Sequence, residues 1–138
     1  MYNQWIGFNI VNNSGSFIKI SNAYLSVFSY GSGKFYRWDD KDNEISSDSV
    51  INTRNLPGVQ DLSFGSCGRS DAPVGTEGEI SFEADGKVVA KVVWDCPAPA
   101  GSWNIVKSFS EADGFGISHN GDGSTGAIGL VTFEISNT

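Results

Sequence analysis

The chain has 138 residues, with 16 Asp and Glu against 9 Lys and Arg, a net charge of −7 and an isoelectric point near 4.4. That balance excludes nucleic acid, whose binding is driven by cationic side chains neutralising phosphates, and it excludes generic attraction to anionic membranes. The length suits one domain over residues 1–138, able to bury about two thirds of its unfolded surface, and 17 glycines with 12% aromatics and 18% charged residues suit short strands joined by tight turns.

From residue 4 to residue 11, Ile6, Phe8 and Ile10 alternate with Gly7 and Asn9, the period of a half-buried strand. Residues 12–16 are turn chemistry. Residues 17–20 and 22–30 read as further strands, with Gly31-Ser32-Gly33 breaking the run before a strand over 34–38, so the first third reads as a meander. From Asp39 to Asn55 apolar density falls, which reads as a long surface connection with one helical turn near residues 46–50. Residues 59–64 read as a strand and 67–78 as a loop. Residues 79–84 then pair with 87–94 across Asp85-Gly86, the strongest short-range hairpin signal.

Strands over 103–109, 114–118 and 126–135 bring the count to about nine or ten, with turn signals every ~8–12 residues. The expectation is an all-β protein, a single antiparallel β-sandwich with long loops. The first residues carry no basic segment and no apolar core of signal-peptide type, and no run is long enough to span a bilayer. The expectation is therefore a protein made soluble without a signal peptide. Cys67 and Cys96 can form one bridge or remain two buried thiols.

The motifs for chemistry are weak. Residues 121–126 match a dinucleotide fingerprint literally, but a strand follows where that mechanism needs a helix N-terminus, so they read as a hairpin loop. Asp40-Lys41-Asp42-Asn43-Glu44 clusters oxygen side chains but has Ile45 and Ile51 where a calcium loop needs glycine and a bidentate acid. It reads as a solvated loop with one carboxylate held by a turn. His119 is the only histidine, no nucleophile motif accompanies it, and with Cys67 and Cys96 it makes an incomplete zinc set. No acid, base, nucleophile, metal or cofactor constellation is present, so enzyme chemistry is not expected.

The aromatic set is more informative. Tyr2, Trp5, Tyr30, Tyr36, Trp38, Trp94 and Trp103 lie mainly at strand ends or beside loops. Trp and Tyr combine an apolar body with a polar tip, which suits a bilayer interface and stacking over a choline-like cation. Core packing is the competing reading for each, strongest for Trp94. Tyr36 and Trp38 share one strand face, flanked by Lys34 and Arg37, and read as an exposed cluster; Tyr36→Asp is expected to abolish binding without unfolding. Arg69 and Asp71 could clamp a phosphate-bearing headgroup or simply order their loop.

Taken together, several segments resemble the aegerolysin family. They are Gln4-Trp5, Gly33-Lys34-Phe35-Tyr36, Asp40-Lys41-Asp42 with Glu44-Ile45, Cys67-Gly68-Arg69-Ser70-Asp71-Ala72 with Gly75-Thr76-Glu77-Gly78, Trp94-Asp95-Cys96-Pro97 and Gly126-Ala127-Ile128-Gly129. The resemblance implies a non-enzymatic β-sandwich that recognises a membrane sphingolipid, with or without sterol, and recruits a larger perforin-like partner to form a pore. It leaves room for a homodimer and implies action outside the producing cell, on target membranes. Trp5 matches a tryptophan of the family's lipid-facing end, and Trp94 and Asp95 match its second motif.

The chain departs from the family pattern at Ser26-Val27-Phe28-Ser29-Tyr30, at Pro73-Val74 and at Ala98-Pro99-Ala100-Gly101-Ser102-Trp103. Those departures alter the usual sphingomyelin determinants and point toward insect targets. The candidate lipid- or receptor-binding residues are Trp5, Tyr30, Tyr36, Trp38, Arg69, Asp71 and Trp103. A lectin-like sandwich that reads glycans is the alternative, and a self-contained structural protein is a third class.

Overall fold

A computed structural model describes residues 4–26, 33–51, 53–68, 75–98, 101–121 and 125–138. Two sheets face each other. The first runs β10 (Phe115–His119), β11 (Gly129–Asn137), β1 (Trp5–Asn13), β6 (Gln60–Cys67), β3 (Lys34–Arg37) and β4 (Asp40–Ile45). The second runs β5 (Arg54–Asn55), β2 (Ile18–Leu25), β7 (Thr76–Ala84), β8 (Lys87–Cys96) and β9 (Ile105–Ser110). A single helical turn, α1 (Ser47–Val50), is capped by the Ser46 side chain, which accepts from the Ser49 amide at 3.3 Å.

The core follows the alternation read from the sequence. Ile6, Phe8 and Ile10 of β1 point inward against Trp94, Ile80 and Phe82 of the second sheet, with Phe64, Phe35 and Phe133 beside them. Trp94 is fully buried, its ring 4.9 Å from Phe8 in an edge-on contact. Its indole N–H cannot be left unsatisfied there, and it donates to the Thr76 hydroxyl at 2.9 Å, which in turn contacts the Ser66 hydroxyl. This chain of polar atoms ties the two sheets together at the end where Trp5 lies. At the other end Asn12 and Asn55 do the same work, with the Asn12 amide donating to the Asn55 carbonyl at 2.9 Å and Asn55 to the Ile10 carbonyl at 3.2 Å.

The β7–β8 hairpin turns at Asp85-Gly86 with φ of 53° and 78°, the left-handed pair that a two-residue turn of this twist demands. Other expectations are corrected. The first third is not a meander, because β1 and β2 belong to different sheets and only β3 and β4 form a local hairpin. Residues 40–45 are a strand rather than a loop; as an edge strand, β4 exposes most of its side chains and so lacks apolar alternation. β6 extends to Cys67, and β7 begins at Thr76, inside the region read as loop.

Eleven strands form among the described residues, and one pairing is parallel. β11 returns beside β1 in the same direction, with Phe8 opposite Val131. Cys67 and Cys96 are both buried and unbridged.

Candidate functional site

The outward face of the six-stranded sheet carries a depression made by two glycines. Gly7 on β1 lies opposite Gly65 on β6, with Leu130 of β11 beyond one and Tyr36 of β3 beyond the other. Side chains on the remaining positions fold over the gap. A Cβ on Gly65 would overlap the Tyr36 phenol, so the Tyr36 ring lies directly across that glycine, and its hydroxyl donates to the Ile6 carbonyl at 3.4 Å. A Cβ on Gly7 would come within 3.1 Å of the Leu130 side chain and 3.6 Å of the Trp5 ring.

The result is a cavity of about 150 Å³ lined by Trp5, Gly7, Tyr36, Trp38, Lys41, Leu62, Phe64 and Leu130. Trp38 and Leu130 form its open rim, 51% and 53% exposed. Trp5 is half-buried, and its carbonyl accepts from the Ile128 amide at 3.0 Å, which fixes the start of β1 against the chain entering β11. The ammonium of Lys41, on β4, sits 4.2 Å from the Trp5 ring centroid and 5.4 Å from that of Tyr36. Both distances are those of a cation on a ring face.

Of the sequence-predicted residues, the structure brings Trp5, Tyr36 and Trp38 together in this groove. The expected exposure of Tyr36 is corrected: it is 1% exposed, because Gly65 lets its ring lie flat on the sheet. Burial, with Cys67 alongside, pushes its phenol pKa up. Lys34 is buried as well, leaving Arg37 as the exposed basic neighbour, paired with Asp39 at 3.5 Å. An aspartate in place of Tyr36 would therefore enter the packed wall, not a surface.

Trp103 lies elsewhere, just ahead of β9, and is 65% exposed. It adjoins Asn104, whose amide donates at 2.9 Å to the Gly126 carbonyl, which also accepts from the Cys96 thiol at 3.3 Å. Tyr30, Arg69 and Asp71 lie outside the described residues, as does Tyr2. Sequence reasoning missed Lys41, Leu62 and Leu130. The pairing of β4 with β3, of β6 with β1 and of β11 with β1 brings them to the groove, and the last two join strands distant in sequence.

The outward face of the five-stranded sheet differs. Glu77 and Asp95 are direct cross-strand partners there, and Tyr24 is the partner of Glu79. Burial, and then the Glu77 carboxylate, raise the Asp95 carboxyl above its ordinary value; burial and then Glu79 raise Tyr24 likewise. Burial also pushes the Cys96 thiol up to about 11, leaving it protonated and inert at neutral pH.

Ser108 and His119 hydrogen-bond at 2.8 Å between β9 and β10, the edge strands of the two sheets. Among the described residues no group of three or more His, Cys, Asp or Glu is placed to hold a metal, and no helix is long and apolar enough to cross a membrane. The Asp42 amide donates to the Asp40 side chain at 3.0 Å, the turn-held carboxylate read from the sequence.

The fold is a two-sheet sandwich with a solvent-facing aromatic groove, and comparison with known proteins gives its class. The chain belongs to the aegerolysin family, matching it over residues 3–138. It is 38% identical over 97 residues to Asp-hemolysin of Aspergillus fumigatus, a stretch covering 70% of this chain and 66% of that protein. It is 32% identical to ostreolysin A6 of Pleurotus ostreatus, covering 96% and 94% of the two chains.

Among solved structures, IP-1A from Alcaligenes faecalis superposes with a TM-score of 0.85 at 30% identity, covering 99% of this chain and 93% of that one. RahU, crystallised in complex with a TRIS molecule, gives 0.89 at 29% identity, covering 100% and 98%. The lipid-binding protein Nakanori, at 12% identity and a TM-score of 0.62 over 97% of this chain and 70% of that one, shares the fold. Aegerolysins are non-catalytic, and the chain's general role is that of the family, a small membrane-binding toxin component.

Proposed function

We propose that this protein is the addressing half of a two-part pore-forming toxin. It binds a sphingolipid-bearing membrane outside the producing cell and recruits a larger perforin-like partner. The observation that carries this reading is the groove of Trp5, Tyr36, Trp38, Leu62 and Leu130 on an otherwise acidic molecule. With a net charge of −7, attraction to anionic lipid is not available as a driving force. Burial of an aromatic rim in the interface, with recognition of a neutral or zwitterionic headgroup, remains. The names of the fungal relatives, a hemolysin and an ostreolysin, agree with a cytolytic setting. Insect membranes are the proposed target, because the segments that depart from the family pattern are its usual sphingomyelin determinants.

Sedimentation with vesicles of phosphatidylcholine alone, or with sphingomyelin or ceramide phosphoethanolamine, each with and without sterol, tests the reading. Capture by a sphingolipid mixture and not by phosphatidylcholine is expected. Failure on every mixture would move recognition to a glycan or protein receptor.

A further inference from the structure

Two aromatic faces turned toward one cation make the kind of box that recognises quaternary ammonium groups. In this protein the box already holds a cation. The Lys41 ammonium lies 4.2 Å from the Trp5 ring centroid and 5.4 Å from that of Tyr36. Its neighbours in sequence, Asp40 and Asp42, do not pair with it, and Arg37 instead takes the nearby carboxylate of Asp39. Among the described residues its placement is thus set by the rings rather than by an ion pair. Its half-buried stem adds to the wall of the cavity that Trp38, Leu62 and Leu130 complete.

We propose that Lys41 is a specificity-determining residue: a built-in occupant of an aromatic cation box that makes this protein discriminate against choline headgroups. A trimethylammonium group seeking the Trp5 and Tyr36 faces must first displace Lys41, and meets its positive charge once it has done so. Two ring contacts of ordinary strength would keep Lys41 seated for roughly nine-tenths of the time, which weakens the apparent affinity for a competing ammonium about tenfold. That factor corresponds to about 1.4 kcal/mol. An ethanolamine headgroup, whose primary ammonium is strongly hydrated, draws less of its affinity from the ring faces and so loses less to this competition. The discrimination between sphingolipids rests on the membrane-addressing reading above; the occupancy of the box does not.

The test is therefore run in two arms. In the first, choline chloride is titrated into wild type, Lys41→Met and Lys41→Arg, with tryptophan fluorescence as readout and sodium chloride as the ionic-strength control. Lys41→Met keeps the apolar stem and empties the box, so its choline affinity rises about tenfold over wild type, while Lys41→Arg, still cationic, stays near wild type. Lys41→Gln is the second emptied variant, and a thermal melt of each variant establishes that it is folded.

In the second arm, capture by sphingomyelin vesicles relative to ceramide phosphoethanolamine vesicles rises several-fold in the emptied variants. Equal or weaker choline binding by both folded emptied variants overturns the proposal, whatever the vesicles show. Improved choline binding without vesicle capture by any variant leaves the box standing and overturns the membrane-addressing reading instead.

Discussion

The two outward faces of the sandwich are built on the same alternating pattern and do opposite things. On the six-stranded sheet, Gly7 and Gly65 remove two side chains from the middle of the face, and Trp5, Tyr36, Trp38 and Leu130 close around the gap. On the five-stranded sheet the corresponding positions hold Glu77, Glu79, Glu83, Lys91, Asp95 and Lys107, with Lys19 and Glu83 paired at 3.2 Å. One face carries a concave apolar groove, the other a flat surface on which charged side chains of both signs alternate with exposed apolar ones. A sheet face becomes concave where glycine leaves room and long aromatic neighbours cover it, whereas on the opposite face charged side chains stand beside the exposed Tyr24, Ile105 and Phe109.

The comparison can be broken most severely from the groove side. Tyr36→Asp places a carboxylate where the side chain is 1% exposed, so it should cost more than about 4 kcal/mol, and the circular dichroism spectrum at 25 °C should show loss of the fold. Gly65→Ala reaches the same wall from below, against the Ile6 carbonyl at 2.6 Å as well as the Tyr36 ring. A loss of about 3 kcal/mol in urea unfolding is expected. Survival of either variant with native stability would mean that the two residues do not pack as described.

Trp38→Ala separates binding from folding. The side chain is 51% exposed on the rim, so stability should change by no more than about 0.5 kcal/mol, while vesicle affinity falls about tenfold. Equal vesicle binding by this variant would take the groove out of membrane recognition.

The smallest effect belongs to the charged face. The Asp95 carboxyl is raised by burial and then by Glu77 beside it, so the folded state holds that proton more tightly than the unfolded chain. The sign follows: the ionised form costs stability above the raised folded value, and the cost disappears as the pH falls below the unfolded value. Asp95→Asn should therefore raise the melting temperature slightly at pH 7, with the gain shrinking to nothing as the pH is lowered through the carboxylate range. A gain independent of pH would assign it to packing.

Much of the scaffold was legible in the residues. Ile6, Phe8 and Ile10 announced an inward face, Asp85-Gly86 a two-residue hairpin, and residues 46–50 a helical turn, because each signal is carried by neighbours in sequence. The strand over residues 40–45 was not legible, since an edge strand exposed on most sides has no apolar period to read. The parallel pairing of β11 with β1 joins residues more than a hundred positions apart, which no local pattern encodes. The candidate site suffered most from this: Trp5, Tyr36 and Trp38 could be named by chemistry, but the burial of Tyr36 depends on Gly65 in another strand.

By itself, then, the amino-acid sequence determined the class of structure and the inward faces of the core strands, because periodicity and turn chemistry are properties of the chain. The allocation of strands to sheets, the glycine-floored groove and the placement of Lys41 on two aromatic faces were decided only in three dimensions. They arise from contacts between distant strands whose register is set by closing a common core.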